Sequence, residues 1–215
     1  MSKKVYLIRH GEVEAKVNSK GERLVYDADV HLSSEGIQQV KSLGSLLIDQ
    51  GADIRRFYTS PYQRAKETTK ILHTFYKNAD IIEVNGIKDN ISDGAIGYPL
   101  DHAVKGLAIP RLPSDETLEQ AAHRVWNAFQ EILRETKGKN IAVISHGHPI
   151  RIIKALFTEG ATIESIVSMT AQEFQSRNYL SKSEAWKLIF RQDGSVTSEF
   201  ITTKKDRSPD QKREN

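Results

Sequence analysis

The sequence predicts an α/β protein: a three-layer α/β/α sandwich in which helices cover both faces of a mostly parallel central sheet. Two observations carry this. Val5–Ile8 and Ile141–Ile144 are continuously apolar rather than alternating, the pattern of strands buried on both faces of a parallel sheet. Between and after them, strand-like runs alternate with stretches of helical periodicity, the order expected when parallel strands are joined by crossover helices.

Each element follows in turn. After the Val5–Ile8 strand, Ser33 is placed to cap a helix that carries Ile37, Val40, Leu43, Leu46 and Leu47 at helical spacing and should stop near Gly51. A strand around Ile54–Tyr58 comes next. Ser60-Pro61 then reads as an N-cap and a first-turn proline, opening a helix that runs towards Tyr76. A short strand, Ile81–Val84, follows. Residues 85–113 are rich in glycine and proline and show no periodicity, which predicts an irregular excursion over the sheet edge, the kind of segment that forms a substrate lid. Ile91, Ile96, Tyr98 and Leu100 would give such a lid an apolar or mixed wall. Leu118, Ala121, Ala122, Val125, Phe129, Ile132 and Leu133 mark one face of a long amphipathic helix, its start signalled by Pro113-Ser114-Asp115-Glu116. The Ile141 strand and a helix over Pro149–Phe157 come next. Ala185–Arg191 and Val196–Thr202, separated by Gln192-Asp193-Gly194-Ser195, predict a closing hairpin from the Asp-Gly signal.

Composition bounds what the chain does. With 215 residues, 38% of them hydrophobic and 27% charged, it suits a single domain with a core of its own. The expected boundaries are residues 1–203, with 204–215 a disordered tail. There is no cysteine, so disulfides, thiolate metal sites and cysteine nucleophiles are excluded. The apolar run before Arg9 is far too short for a signal-peptide core or a membrane span, so a cytoplasmic protein without a membrane partner is expected. The net charge is +3. Residues 204–215 hold five basic and three acidic groups and so carry most of that excess. The rest is nearly neutral, and no nucleic-acid partner is expected.

Arg9-His10-Gly11 directly follows the first buried strand, and Ser145-His146-Gly147 directly follows the second. Ligands in open α/β sheets bind outside the carboxyl ends of strands, so the two histidines can face one another across one pocket. Each precedes a glycine that lets backbone approach a ligand closely. Arg64 falls in the opening turns of the Ser60-Pro61 helix, where exposed N–H groups and the helix dipole favour an anion. Two arginines and two histidines around a helix terminus describe a phosphate site. A neutral imidazole nitrogen can attack phosphorus while fixed guanidinium groups neutralise the equatorial oxygens. A proton donor for the leaving alkoxide is also needed, and the candidates are Asp89, Asp93, Asp101 and Glu83.

These residues stand in a larger pattern. Leu7-Ile8-Arg9-His10-Gly11-Glu12 resembles the nucleophile signature of the histidine phosphatase superfamily, the phosphoglycerate mutase-like proteins of branch 1. Leu32-Ser33-x-x-Gly36-x-x-Gln39 resembles the family's next segment, Ser60-Pro61-x-x-Arg64-Ala65-x-x-Thr68 its phosphate-arginine segment, and Ser145-His146-Gly147-x-x-Ile150-Arg151 its second histidine. All four stand in the family's order over residues 3–157. The resemblance implies a phosphoglycerate mutase-like fold, with His10 phosphorylated during turnover and Arg9, Arg64 and His146 binding the transferred phosphoryl group together with the backbone at Gly11 and Gly147. Two departures stand out. Where the family has leucine, any residue, then a glutamate proton donor, this chain reads Ile87-Lys88-Asp89, one methylene shorter, with Gly97 at the distance of a later family glycine. The family's early tryptophan-asparagine pair is replaced by Ala15-Lys16, leaving Asn18 without an assigned role.

Taken singly, Arg9 and Arg64 would read as structural ion-pair residues and His10 and His146 as hydrogen-bonded core histidines. Their joint placement with Gly11 and Gly147 at two strand ends favours function. His146 and His148, with Asp101-His102, lack recognised metal-ligand spacing, so neither a metal nor another cofactor is expected. Asp115-Glu116-Thr117 resembles a family turn before the long helix, and helix capping explains it equally. His31, His73 and His123 read as surface or packing residues. The resulting expectation is a metal-independent phosphatase acting on a small phosphomonoester. A phosphoglycerate mutase is the nearest alternative and a non-catalytic phospholigand sensor a more distant one. The chain is short beside typical mutases, and residues 86–112 do not resemble the mutase substrate loop.

Overall fold

The continuously apolar strands of the sequence occupy the middle of a six-stranded sheet. In the computed structural model, which describes residues 2–14, 28–89, 116–136, 138–169 and 180–204, β1 (Lys3–Arg9) lies between β4 (Ile141–Ser145) and β5 (Ala185–Phe190). The strand order is β3-β2-β4-β1-β5-β6, with β2 at Arg56–Thr59, β3 at Asp80–Glu83 and β6 at Val196–Ile201. β1, β4, β2 and β3 run parallel, whereas β5 runs antiparallel to β1 and β6 antiparallel to β5. The sheet is therefore mixed, with helices on both sides.

Alternation within the apolar runs explains why no position in them is polar. Val5 and Leu7 of β1, Tyr58 of β2, and Ile141 and Val143 of β4 pack into one core with α3 (Leu118–Glu135), α4 (Gly147–Thr158) and α5 (Ile163–Val167). Tyr6, Ile8, Phe57, Ala142 and Ile144 face the opposite core, under α1 (Ser34–Asp49) and α2 (Gln63–His73). Side chains of period two thus need apolar identity on both sides. Among the described residues, no helix is long and apolar enough to cross a membrane.

Most helix limits follow local chemistry. Ser33 caps α1 by accepting from the Gly36 N–H, and Gly51, at φ 66°, follows its end. Three limits differ from the sequence-based expectation. Ser60 is not the cap of α2: the cap position is Tyr62, without a side-chain hydrogen bond, and the helix ends at His73 rather than near Tyr76. Helix α3 begins directly after its sequence signal, where Thr117 and Gln120 form a reciprocal capping box. Helix α4 begins at Gly147, two residues before Pro149. The five-residue α5, capped by Thr162 and Ser165, had no sequence counterpart because it is too short to show periodicity.

The first residues of the predicted excursion belong to the core. Asn85–Ile87 form a 3-10 turn with Ile87 fully buried, and a Cβ at Gly86 would lie 2.3 Å from the Cβ of Ala128 on α3. Residues 90–113, with Asp93, Gly97, Asp101 and the lid wall, lie outside the described residues, as do Ala15-Lys16, Asn18 and residues 205–215. The predicted hairpin is present, its turn made by Asp193, which accepts from Ser195, and by Gly194 at φ 83°.

Candidate active site

The site forms where β1 and β4 end side by side. Their parallel register pairs Arg9 with Ser145, and the His10 N–H donates to the Ser145 carbonyl at 3.1 Å. His10 and His146 therefore leave the sheet together, with ring centroids 5.1 Å apart. Arg64, in the first turn of α2, reaches the same point. Arg9, His10, Arg64 and His146 are all buried.

The His10 ring has a defined tautomer. Its Nδ1–H donates to the Gly11 carbonyl at 2.8 Å, which leaves Nε2 as the lone-pair nitrogen, and the Arg64 Nε–H donates to that Nε2 at 3.3 Å. Burial first, then the charges of His146, Arg64 and Arg9, hold the His10 pKa well below its usual value despite the Gly11 contact. The ring is neutral at working pH, with a lone pair aimed at a guanidinium.

His146 is neutral for the same reasons. Burial pushes its pKa down to about 3, aided by Arg64, Arg9 and His148 and opposed by Asp89. Its Nε2 lies 2.8 Å from Ser60 Oγ, while Nδ1 has no hydrogen-bond partner among the described residues and faces Asp89 Oδ2 at 4.0 Å. Tyr62 stacks edgewise on His146 and lies under the Arg64 guanidinium. The Arg9 guanidinium donates to the Leu180 carbonyl at 2.6 Å, which ties it to the segment entering β5.

Of the four candidate carboxylates, only Asp89 is seen at the histidines. Its Oδ1 lies 3.4 Å from His148 Nδ1. Glu83 points into solvent and pairs with Lys66 at 3.3 Å, while Asp93 and Asp101 lie outside the described residues. Burial pushes the Asp89 carboxyl upward, but the His148 hydrogen bond and the charges of His146, His148 and Arg64 outweigh it and hold it well below the usual carboxylate range. The group is ionised in the ligand-free site.

Gly11 has a structural reason distinct from the expected one. Its N–H donates to Thr68 Oγ1 at 3.2 Å, and a Cβ there would lie 2.8 Å from the Gly36 carbonyl oxygen. The Gly11 and Gly36 backbones pack against one another, seating the loop after His10 on the start of α1. Gly147 is the first residue of α4 and is buried beside His146. Four neighbours were not singled out from sequence as parts of this site: Ser60, Tyr62, Thr68 and His148. Ser60 was read as a cap, and His148 was weighed only as half of a metal pair and set aside. Thr68, within the arginine segment, bonds both the Gly11 N–H and the Arg64 carbonyl. Of the remaining histidines, His73 packs on Phe57 and bonds the Ala79 carbonyl, while His31 pairs with Glu67 at the surface.

Known proteins resemble this chain in sequence and fold. The family model of the histidine phosphatase superfamily (branch 1) matches residues 5–188. A metal-independent phosphoserine phosphatase of Arabidopsis thaliana is 22% identical over 85% of this chain and 80% of its own length. A 2,3-bisphosphoglycerate-dependent phosphoglycerate mutase of Rhizobium etli is 25% identical over 69% of this chain and 77% of its own length. Among solved structures, Bacillus stearothermophilus YhfR superimposes with a TM-score of 0.67 at 18% identity, over 97% of this chain and 100% of its own. The chain belongs to branch 1 of the histidine phosphatase superfamily.

Proposed function

We propose that the protein is a phosphatase that hydrolyses a small phosphomonoester through a phosphohistidine on His10, without a metal ion. The observation that carries this reading is the His10 tautomer: Nδ1–H is held by the Gly11 carbonyl, so Nε2 is available to attack, and Arg64 lies beside that nitrogen. A phosphoryl group at Nε2 would meet Arg64 and Arg9, whose guanidinium groups match oxyanion geometry and supply the charge that a metal would otherwise provide. The His146 Nδ1, buried and without a partner among the described residues, suits an equatorial phosphoryl oxygen. The backbone at Gly147 opens α4 beside the same oxygens.

In the first step the His10 Nε2–P bond forms as the ester P–O bond breaks, and Asp89 gives its proton to the leaving oxygen. In the second, water attacks phosphorus, its proton passes to Asp89, and the electron pair of the N–P bond returns to His10. A dianionic phosphate arriving beside Asp89 raises its affinity for a proton, so the carboxyl that is ionised in the free site can carry one in the complex.

Relatives named as mutases, among them one of Thermoplasma acidophilum that is 27% identical over 71% of this chain, favour a second reading in which the phosphoryl group returns to an organic acceptor. A phosphoester panel with free and transferred phosphate measured separately tests both. Release of inorganic phosphate from a monoester is the expected result. Transfer without release would make the protein a mutase, and no turnover of any ester would leave a phospholigand sensor.

A further inference from the structure

The carboxylate at the site does not stand alone, and the segment carrying it is fastened from three sides. Arg124 of α3 donates through Nη1 to the Gly86 carbonyl at 2.8 Å and the Lys88 carbonyl at 3.1 Å, and through Nε to Glu116 at 2.6 Å. Ser145, at the end of β4, donates through Oγ to the Ile87 carbonyl at 2.6 Å. Gly86 presses on Ala128. These contacts deliver Asp89 to the first turn of α4, where His148 is buried. The two Asp89 oxygens then divide: Oδ1 is 3.4 Å from His148 Nδ1, and Oδ2 faces His146 Nδ1 at 4.0 Å.

We propose that His148 is the positioning residue and proton reservoir for Asp89, so that the leaving-group proton is stored on an Asp89–His148 pair. This inference rests on the phosphatase reading above and adds a partner to its acid. The resting proton sits on His148 Nδ1 while Asp89 is a carboxylate. Transfer to Oδ1 leaves His148 neutral, and the carboxyl group gives one proton to the ester oxygen as the P–O bond breaks. After water attacks the phosphohistidine, its proton returns through Asp89 to His148, and the cycle closes without gain or loss.

Two facts support storage on the pair. Asp89 is held ionised in the free site, burial being outweighed by His148, His146 and Arg64, so alone it has no proton to give at neutral pH. Its Oδ1 lies 3.4 Å from His148 Nδ1, so a proton can pass between the two groups without an intervening residue. The charged and titratable groups facing the pair are His146 after β4, and Arg64 and Tyr62 at the start of α2. Arg64 opposes protonation until a phosphate dianion offsets it, which favours loading the pair when substrate is bound.

The test compares the wild type with His148→Gln and His148→Asn on glycerol phosphate and nitrophenyl phosphate between pH 5 and 9. Glutamine can still hydrogen-bond Asp89 but stores no proton. The expected result is a loss of kcat on glycerol phosphate of about 10-fold or more at pH 7.5, shrinking towards pH 5. The basic limb should move at least about one pH unit lower, with KM unchanged and nitrophenyl phosphate nearly spared. A glutamine variant with the wild-type pH profile, or equal losses on both esters at every pH, overturns the proposal. Should neither variant fold, NMR titration of the His148 ring in the wild type and in Asp89→Asn decides. Loss of the carboxylate must lower the ring's pKa, and an unchanged pKa overturns the pairing. That measurement needs no turnover, so an inactive wild type would refute the phosphatase reading while leaving the pair to be judged separately.

Discussion

His146 offers a stability measurement that depends chiefly on its burial. Its pKa is about 3 in the folded protein against an ordinary value of 6.5, so the unfolded chain takes up a proton there that the folded protein refuses. For a histidine shifted down, the unfolded state binds more protons, and stability falls as pH drops below 6.5 towards the folded value. Between pH 7 and pH 5 the folded ring stays neutral while the unfolded one becomes almost fully charged, which removes about 2 kcal/mol of stability. Asp89 is ionised in both states throughout that window, so its coupling to His146 does not distort the comparison. His146→Asn removes the titration. Whatever it does to stability at pH 7 through the lost Ser60 contact, its further loss on going to pH 5 should be smaller than the wild type's by about 2 kcal/mol. With a urea slope of about 2 kcal/mol per molar, the wild-type midpoint should fall about 1 M more than the variant's. Urea unfolding followed by circular dichroism at pH 7, 6 and 5 measures this, in phosphate-free buffer so that an anion does not stabilise the folded state. Parallel midpoint shifts in the two proteins would refute the claim that His146 is buried neutral.

Further outcomes follow from the same geometry. His10→Ala should abolish turnover, and label from a phosphoester quenched in alkaline detergent should be trapped on the wild type but not on this variant; turnover near the wild-type rate would remove the nucleophile from the scheme. Asp89→Asn should slow alkyl esters by about 10²-fold or more and spare nitrophenyl phosphate, whereas equal losses would assign Asp89 to binding. Gly36→Ala places a Cβ 2.0 Å from the Glu12 carbonyl oxygen and should cost about 1–3 kcal/mol in urea unfolding, because backbone rather than a flexible side chain must move. Activity should survive excess EDTA; loss restored by a divalent cation would replace the guanidinium-based scheme with a metal-based one.

What could be read from the sequence was what local pattern encodes. The double-faced apolar runs marked β1 and β4 because each alternate residue feeds a different core, and the histidines were found because they directly follow those runs. The Ser33 cap and the Asp193-Gly194 turn were legible for the same local reason. The Ser60-Pro61 reading went astray because a local role and a distant one compete for one hydroxyl: Ser60 meets His146 across 86 residues of sequence, a contact no nearby pattern reports. The 85–89 segment looked irregular because its order comes from Arg124, Ser145 and Ala128 rather than from its own periodicity. His148 was discounted because the question put to it was metal ligation, and its carboxylate partner is 59 residues away.

The central position of β1 sets when this protein can become active during synthesis. Val5 pairs with Ile141 on one side and Leu188 on the other, so the strand translated first waits for partners translated near the end. Loop closure over such separations slows folding relative to local contacts. Until β4 leaves the ribosome, His10 has neither the Ser145 carbonyl to hold its backbone nor His146 beside it, and Arg9 lacks Leu180 until later still. A nascent chain therefore carries His10 exposed and unassembled, and its apolar β1 segment stays unpaired through most of elongation. Chains released before β5 would keep every residue assigned to the chemistry yet leave one edge of β1 open to pairing with other strands.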